Sequence, residues 1–168
     1  LELAAQVRLL RHHGQDDTGL VRAVGYTARL DALQAAVLAA KLPFLDGWNN
    51  RRAANAARYR EALQGLVRFQ EAGLPGEHVW HQCTIRVADR DGLRATLAAA
   101  GIPTTVYYPR PLHLQPAFAA YGGGPGSLPH AEAAASEVLS LPVCPFLAAD
   151  NREAVIREIV RFLTRGGD

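Results

Sequence analysis

The stretch VWHQCTIRVADRDGLRATLAAAGIPTTVYY, residues 79–108, contains two different hydrophobic periods, one after the other. Residues 79–87 are predicted to form a β-strand, since apolar and β-branched residues recur there with a period of two. Residues 89–100 are predicted to form a helix that ends at Gly101, and residues 103–108 a second strand. This order predicts an α+β fold in which helices cover one face of a sheet of two or three strands.

The chain after this stretch is predicted to continue with helices and one more strand. We expect a helical turn at residues 116–121, a helix at 129–139, a short strand at 140–144 and a final helix at 149–163. The glycine run at residues 122–126 is followed by serine and not by lysine, so it is predicted to be a flexible linker and not a phosphate-binding loop.

The chain before this stretch is predicted to be mostly helical. A first helix is expected to end near Arg11, and a polar, glycine-punctuated loop at residues 15–27 leads to Asp31, the predicted N-cap of a helix at residues 32–42. That helix is apolar nearly all round, so it is predicted to be buried in a core or between subunits.

A long amphipathic helix is predicted over residues 44–66, with Pro43 at its start, where the missing N–H of proline removes no hydrogen bond. Residues 67–78 contain two glycines and a proline and are predicted to be a loop between two structural units. We therefore predict a first domain over residues 1–66 and a second domain over residues 67–168.

The composition is that of an ordinary globular protein, with 168 residues of which 49% are apolar and 20% charged. The formal net charge of +2 is too small for the basic surface that nucleic-acid binding requires. The longest apolar stretch, residues 32–42, is too short to span a bilayer. Cys83 and Cys144 form no disulfide pattern, so both are predicted to be reduced, buried thiols of a cytoplasmic protein.

Residues 107–113, with the sequence YYPRPLH, combine two tyrosines, an arginine and a histidine with two prolines. Proline fixes its own backbone and disfavours helix in the residue before it, so Tyr108 and Arg110 are predicted to lie in a preordered, non-helical loop. Such a loop loses little conformational entropy when a ligand binds. A purely structural turn between a strand and a helix is the alternative interpretation.

Other candidate residues form no recognisable catalytic or metal-binding motif. His78 and His81 lie three positions apart in a predicted strand, so their side chains would point to opposite faces and not to one metal ion. His113 has no carboxylate or cysteine at the spacing of a catalytic triad. Composition and spacing alone therefore predict a soluble α+β protein and nothing more specific.

Five motifs occur in a characteristic order: RHHG at residues 11–14, GYTARLDALQAA at 25–36, HVWHQ at 78–82, YYPRPLHLQPAF at 107–118 and EVLSLP at 137–142. In this order they resemble the second half of the DegT/DnrJ/EryC1/StrS family of aminotransferases. Members of this family depend on pyridoxal phosphate (PLP) and act on nucleotide-linked keto-sugars. The resemblance implies the C-terminal portion of a type I PLP-dependent aminotransferase fold, with helices from the end of the large domain followed by a small C-terminal domain.

The resemblance also implies which groups this chain lacks. The family's Schiff-base lysine lies in the large domain, before the position that Arg11 matches, so no catalytic residue is assigned in this chain. Lys41 is the only lysine, and it matches a late position in a helix of the family, so it is not expected to replace the missing lysine. Alone, this chain is therefore not expected to bind PLP or to catalyse transamination.

The resemblance implies a homodimer whose sites take residues from both subunits. On this basis Arg29 and Thr27 are expected to bind the cofactor phosphate, and Arg29 also the nucleotide-sugar substrate. Tyr107, Tyr108 and His113 are expected to border the sugar. Two positions depart from the family, which often has asparagine where this chain has Thr27 and histidine where it has Tyr107.

The sequence thus predicts the C-terminal fragment of an aminotransferase that uses an amino donor and a nucleotide-linked keto-sugar, for cell-surface polysaccharide or secondary-metabolite synthesis. No metal and no membrane partner are expected. A non-catalytic binding or assembly module that keeps the family's small domain and dimer surface is the alternative. Because the chain contains no methionine, a proteolysed remnant of a full enzyme is a third interpretation.

Overall fold

The computed structural model of the chain describes residues 2–71 and 78–165. The chain divides into two compact units, residues 1–45 and residues 46–168. The predicted boundary places the long helix in the first domain. In the structure, nearly all of this helix belongs to the second unit, and it contributes buried side chains to the core of that unit. The assignment of residues 1–66 and 67–168 to the two domains of an aminotransferase stays a prediction.

Among its described residues, the first unit contains two α-helices, α1 at Glu2–Arg11 and α2 at Ala32–Lys41, which are joined by a long loop, and a 3-10 helix at Leu42–Phe44. As predicted, α1 ends at Arg11, and Asp31 is the N-cap of α2, where its carboxylate accepts a hydrogen bond of 2.8 Å from the Leu33 amide. No residue of α2 is buried by the described part of the chain, so the predicted burial in a core is not observed. Burial between subunits, the other option for this helix, stays a prediction.

Two glycines allow the loop of the first unit to return to the end of α1. Gly14 has a φ of +72°, and a Cβ on it would lie 1.8 Å from the carbonyl oxygen of Ala23. A Cβ on Gly25 would lie 2.1 Å from the backbone nitrogen of Gly14. The amide of Tyr26 then donates to the carbonyl of Leu10 at 2.7 Å. The last part of the loop is thereby fixed to the end of α1.

The second unit contains an antiparallel sheet of three strands in the order β1, β2, β3, at Arg68–Phe69, Cys83–Arg86 and Val138–Leu141. Ile85 lies opposite Leu139 in the register of β2 and β3, and both side chains are fully buried. This pairing places one apolar face of the sheet in the core, as a two-residue period requires.

The strands are shorter than the sequence predicts. The strand expected at residues 79–87 begins only at Cys83, because Trp80 has a φ of +51°, which an extended strand does not accommodate. The strand expected at residues 103–108 is wrong: of these residues, Thr105 alone forms a bridge, to Ser140. Pro103 begins that stretch and Pro109 follows it, and neither provides an N–H for a ladder.

Further boundaries differ from expectation. The helix predicted at residues 44–66 is Leu45–Ala62, and the strand predicted at residues 140–144 is Val138–Leu141. The loop predicted at residues 67–78 contains β1, and its residues 72–77 lie outside the described residues. The helix predicted at residues 129–139 ends at Glu137, because the next residues pair with β2 as strand β3.

Four helices belong to the second unit: α3 at Leu45–Ala62, α4 at Arg90–Ala99, α5 at Pro129–Glu137 and α6 at Ala149–Thr164. The predicted turn at Pro116–Tyr121 is present as a 3-10 helix. Helices and sheet share one core, whose largest fully buried side chains are Tyr59, Leu63, Cys83, Ile85, Leu93, Leu97, Leu139 and Ile159. No helix within residues 2–71 and 78–165 is long and apolar enough to cross a membrane.

The two cysteines differ in their surroundings. Cys83 is buried in β2, as predicted, whereas Cys144 is exposed, so the prediction of two buried thiols is wrong for Cys144. Cys144 follows the end of β3, where the chain leaves the sheet. Its backbone carbonyl, and not its thiol, is in contact with the interior, since it accepts a hydrogen bond of 3.1 Å from the Nδ2 atom of Asn55.

Candidate functional site

The second unit contains an open cavity of about 720 Å³ next to the segment predicted to contact a ligand. The segment at residues 107–113 forms one wall, and α5 contributes Ala131, Ala134 and Ala135. Three alanines at positions i, i+3 and i+4 lie on one face of a helix, so this part of the cavity is lined by small, apolar side chains. The cavity therefore combines an apolar surface with a segment that carries polar groups.

Tyr107 and Tyr108 lie at the exposed side of this cavity. Their side chains are 41% and 71% exposed, and their rings meet edge to face with centroids 5.7 Å apart. Two exposed phenols on a proline-stiffened backbone can offer hydroxyl groups to a polar ligand without rearrangement.

Arg110 also lines the cavity. Its carbonyl accepts a hydrogen bond of 3.4 Å from the Gln115 side chain, while its guanidinium has no hydrogen bond or ion pair with the described residues. An arginine without a carboxylate partner is suited to an anionic group of a ligand. From the sequence, Arg110 is predicted only as part of the loop and not as a site residue.

His113 is the most enclosed polar residue of the segment, since its side chain is 9% exposed. Its Nε2 atom lies 3.1 Å from an oxygen of Glu132 in the first turn of α5. The Gly126 amide donates to both oxygens of this carboxylate at 2.9 Å, and the Leu128 amide donates at 3.3 Å. The Gly126 amide, followed by His113, lowers the pKa of Glu132, so the carboxylate is ionised at neutral pH.

Sequence analysis missed Glu132. One signal could have identified it: an acidic residue in the first turn of a predicted helix, after a glycine run whose amides need acceptors. The helix begins after Leu128, which supplies no side-chain cap, so Glu132 takes over part of the capping role.

The predicted phosphate-binding residues belong to the first unit. Thr27 lies at the end of the loop, with its hydroxyl 3.3 Å from the Nδ1 atom of His13. Arg29 is exposed, and its guanidinium has no hydrogen bond or ion pair within residues 2–71 and 78–165. The neighbouring Asp31 carboxylate accepts the capping hydrogen bond of α2, and no ion pair joins it to Arg29 among the described residues.

Lys41 is exposed in the last turn of α2. At 1.5 Å per residue, the ten residues of α2 place it about 15 Å along the helix axis from the end where Arg29 lies. A cation at the C-terminal end of a helix is favourable with the helix dipole, which is sufficient to account for this residue.

The described residues hold no group of three or more His, Cys, Asp and Glu side chains arranged to bind a metal ion. His78 is expected from the sequence to lie in a strand, but it lies in the irregular stretch before β2. Its Nδ1 accepts a hydrogen bond of 3.0 Å from the Trp80 amide, and its Nε2 lies 3.1 Å from the side-chain amide nitrogen of Gln70. Both ring nitrogens therefore face protein nitrogens, although a neutral imidazole can accept only one of these two hydrogen bonds.

The fold is that of the C-terminal part of PLP-dependent aminotransferases. The solved structure of S. venezuelae DesV superposes on it with a TM-score of 0.91 at 41% sequence identity, over 96% of this chain and 44% of that chain. The profile of the DegT/DnrJ/EryC1/StrS aminotransferase family matches residues 1–160. The chain belongs to this family, as its motifs predict.

Two curated relatives agree with this assignment. The dTDP-3-amino-3,4,6-trideoxy-alpha-D-glucose transaminase of Streptomyces venezuelae is 43% identical over 98% of this chain and 44% of its own length. A pleiotropic regulatory protein of Geobacillus stearothermophilus is 45% identical over 96% of this chain and 44% of its own length. The chain thus spans less than half the length of the curated relatives it matches.

The family is PLP-dependent, and the residues of this chain fit that cofactor only in part. The unpaired guanidinium of Arg29 and the hydroxyl of Thr27 are suitable for a phosphate group. Lys41 is exposed in the last turn of α2, so within the described residues it lacks the buried, apolar surroundings that activate a Schiff-base lysine. The roles predicted for Arg29, Thr27, Tyr107, Tyr108 and His113 stay predictions, although the structure does place the last three at one cavity.

Proposed function

We propose that this chain is the C-terminal part of an aminotransferase that transfers an amino group to a nucleotide-linked keto-sugar. The observation that carries the proposal is 43% identity, over nearly the whole chain, to a transaminase of a dTDP-linked sugar. Two motifs, at residues 25–36 and 107–118, support the proposal, because each includes an exposed segment whose backbone is held by hydrogen bonds or by proline.

Arg29 is proposed to bind a phosphate, of the cofactor or of the nucleotide-sugar, with Thr27 as an additional hydrogen-bond donor. A guanidinium presents two parallel N–H groups to a phosphate, and it does so most effectively when no carboxylate competes. Asp31 caps α2 and forms no ion pair with Arg29 among the described residues. The loop is held by the crossing of Gly14 and Gly25, so Arg29 is presented from an ordered backbone.

The cavity of the second unit is proposed to receive the sugar. The hydroxyl groups of Tyr107 and Tyr108 and the imidazole of His113 supply hydrogen bonds to sugar hydroxyls. The alanine face of α5 accommodates the apolar face of the ring. Arg110 would favour a substrate with an anionic group near this edge of the cavity.

When bound, PLP supplies the electron sink for transamination, and the lysine that carries it is proposed to come from outside these 168 residues. The role proposed for this chain is then to bind the phosphate, to orient the sugar and to exclude water around the sugar. A dimer in which both subunits complete each site is supported by the exposed apolar residues of α2, among them Leu33 at 75% and Val37 at 51% exposure.

A chimera tests the proposal. The N-terminal part of the Streptomyces venezuelae transaminase, up to the position matching Leu1, would be fused to this chain and assayed with a dTDP-linked 3-keto-sugar and an amino donor. We expect turnover, and Arg29→Ala should lower kcat/KM by about tenfold to a hundredfold, as loss of a charged hydrogen bond worth about 1.5–3 kcal/mol implies. Arg51→Ala, in an exposed part of α3, serves as the matched control.

The alternative is a non-catalytic module, which the presence of a single, exposed lysine favours. A chimera that folds and binds PLP but does not turn over any nucleotide-linked keto-sugar would contradict the proposed function. Borohydride reduction of the 168-residue chain with PLP gives a second test, in which an adduct at Lys41 together with turnover of an amino donor would contradict it.

A further inference from the structure

Glu132 joins three segments of the chain by hydrogen bonds. One carboxylate accepts hydrogen bonds from the amides of Gly126 and Leu128 and lies 3.1 Å from Nε2 of His113. The segments are the end of the glycine run, the start of α5 and the end of the tyrosine–proline segment at residues 107–113. Glu132 therefore connects two parts of the chain that line the cavity.

The glycine run depends on this carboxylate for its position. Gly123 and Gly126 both have a φ of +87°, so the run follows a path that other residues rarely adopt. Among the described residues, Glu132 is the hydrogen-bond partner of the Gly126 amide. Without it, that amide would have to bind water or move.

The contact also determines how His113 can act. Because an ionised carboxylate only accepts, Nε2 of His113 must carry the proton of this hydrogen bond. In the neutral imidazole, Nδ1 is then the acceptor, and it has no partner among the described residues. The side chain is 9% exposed, so it has little freedom to turn.

We propose that Glu132 is a positioning residue of the sugar site, which holds His113 in the Nε2–H tautomer and leaves Nδ1 to accept a hydrogen bond from the substrate. The role in catalysis rests on the proposed function, whereas the tautomer is a property of the chain itself. This separation allows the two to be tested independently.

The first test is nitrogen-15 NMR of the 168-residue chain, in which long-range couplings to the ring protons distinguish the tautomers. The chain has six histidines, and His113→Gln assigns the signal. We expect the Nε2–H form for neutral His113, and a mixture of tautomers in Glu132→Ala. An Nδ1–H form or an averaged signal in the unchanged chain would overturn the proposal, and this readout needs no destabilising variant.

The second test uses the chimera. Glu132→Ala should raise KM for the nucleotide-sugar roughly tenfold while kcat changes by less than about threefold, as expected for the loss of one positioned hydrogen bond to substrate. Glu158→Gln in α6 is the control, since its side chain is 21% exposed, against 25% for Glu132, and it pairs with Arg161. Equal KM values in Glu132→Ala and the unchanged chimera would overturn the proposal, whereas a chimera that is inactive without any substitution contradicts the proposed function alone.

Discussion

Replacing Arg90 by methionine is expected to destabilise the second unit by about 2 kcal/mol. The Arg90 side chain is 9% exposed, although it carries a charge. One terminal nitrogen donates to the carbonyls of Ala135 and Val138, both at 3.2 Å, at the end of α5. Its Nε donates to Asp91 at 2.6 Å, but that carboxylate is 78% exposed and can be solvated by water instead.

The magnitude follows from what each partner loses. Hydrogen bonds from a charged group contribute about 1.5–3 kcal/mol each, so two of them suggest roughly 3–6 kcal/mol. The substitution also removes the cost of burying a guanidinium, which offsets several kcal/mol. Methionine keeps the apolar stem in place, so little packing is lost. A net loss of about 2 kcal/mol remains, chiefly from the two helix-end carbonyls.

Urea unfolding measures this effect. With a slope of about 2 kcal/mol per molar urea, the midpoint should fall by about 1 M at an unchanged slope. Arg94→Met on the exposed side of the same helix is the matched control, and it should change stability by less than about 0.5 kcal/mol. Equal midpoints for Arg90→Met and Arg94→Met would refute the reasoning that Arg90 secures the end of α5.

Three further outcomes are expected. Burial raises the pKa of the Cys83 thiol to about 12, whereas Cys144 is exposed. An alkylating reagent should therefore modify Cys144 at neutral pH and reach Cys83 only in urea, as mass spectrometry would show. Rapid modification of Cys83 in the native chain would contradict this expectation. The Thr18 and Arg22 side chains lower the pKa of Asp16 to about 2, so its stabilising contribution is present above its usual pKa of 3.8 and is lost as the pH falls through about 2. The difference in free energy of unfolding between Asp16→Asn and the unchanged chain should accordingly shrink in acid. A difference that grows as the pH falls would contradict this expectation. Gly14→Ala should speed amide hydrogen exchange in the loop of the first unit far more than Gly19→Ala does. Both positions have a positive φ, but of the two only Gly14 has atoms within 4 Å of an added Cβ.

The ends of α1 and α4 and the start of α2 could be predicted from the sequence, because the groups that form them are local. Asp31 caps α2 from one residue before it, and Gly101 follows α4 with a φ of +73°. Strand ends could not be predicted in this way, because a strand exists only where a partner provides hydrogen bonds. Thr105 has such a partner in Ser140, but its neighbours do not. The exposure of Cys144 likewise depends on where the chain leaves the sheet.

The candidate site likewise has features that are local in sequence and features that depend on distant partners. The segment at residues 107–113 could be identified from its own composition, since two prolines and two tyrosines are visible in sequence. The acidic first-turn position of Glu132 is likewise visible in sequence, but its contact with His113 is not, because the contact spans 19 residues and a run of glycines. A carboxylate that organises a site from a neighbouring element leaves no fixed spacing to recognise.

The single lysine also makes the chain convenient for labelling. Apart from the α-amino group, Lys41 is the one amine that a succinimidyl ester can modify, and it is exposed at the end of α2. Cys144 is an exposed thiol in the second unit, while Cys83 is shielded. Lys41 and Cys144 can therefore carry two different dyes without any substitution. Energy transfer between the dyes would report the distance between the two units in solution, with and without a nucleotide-sugar.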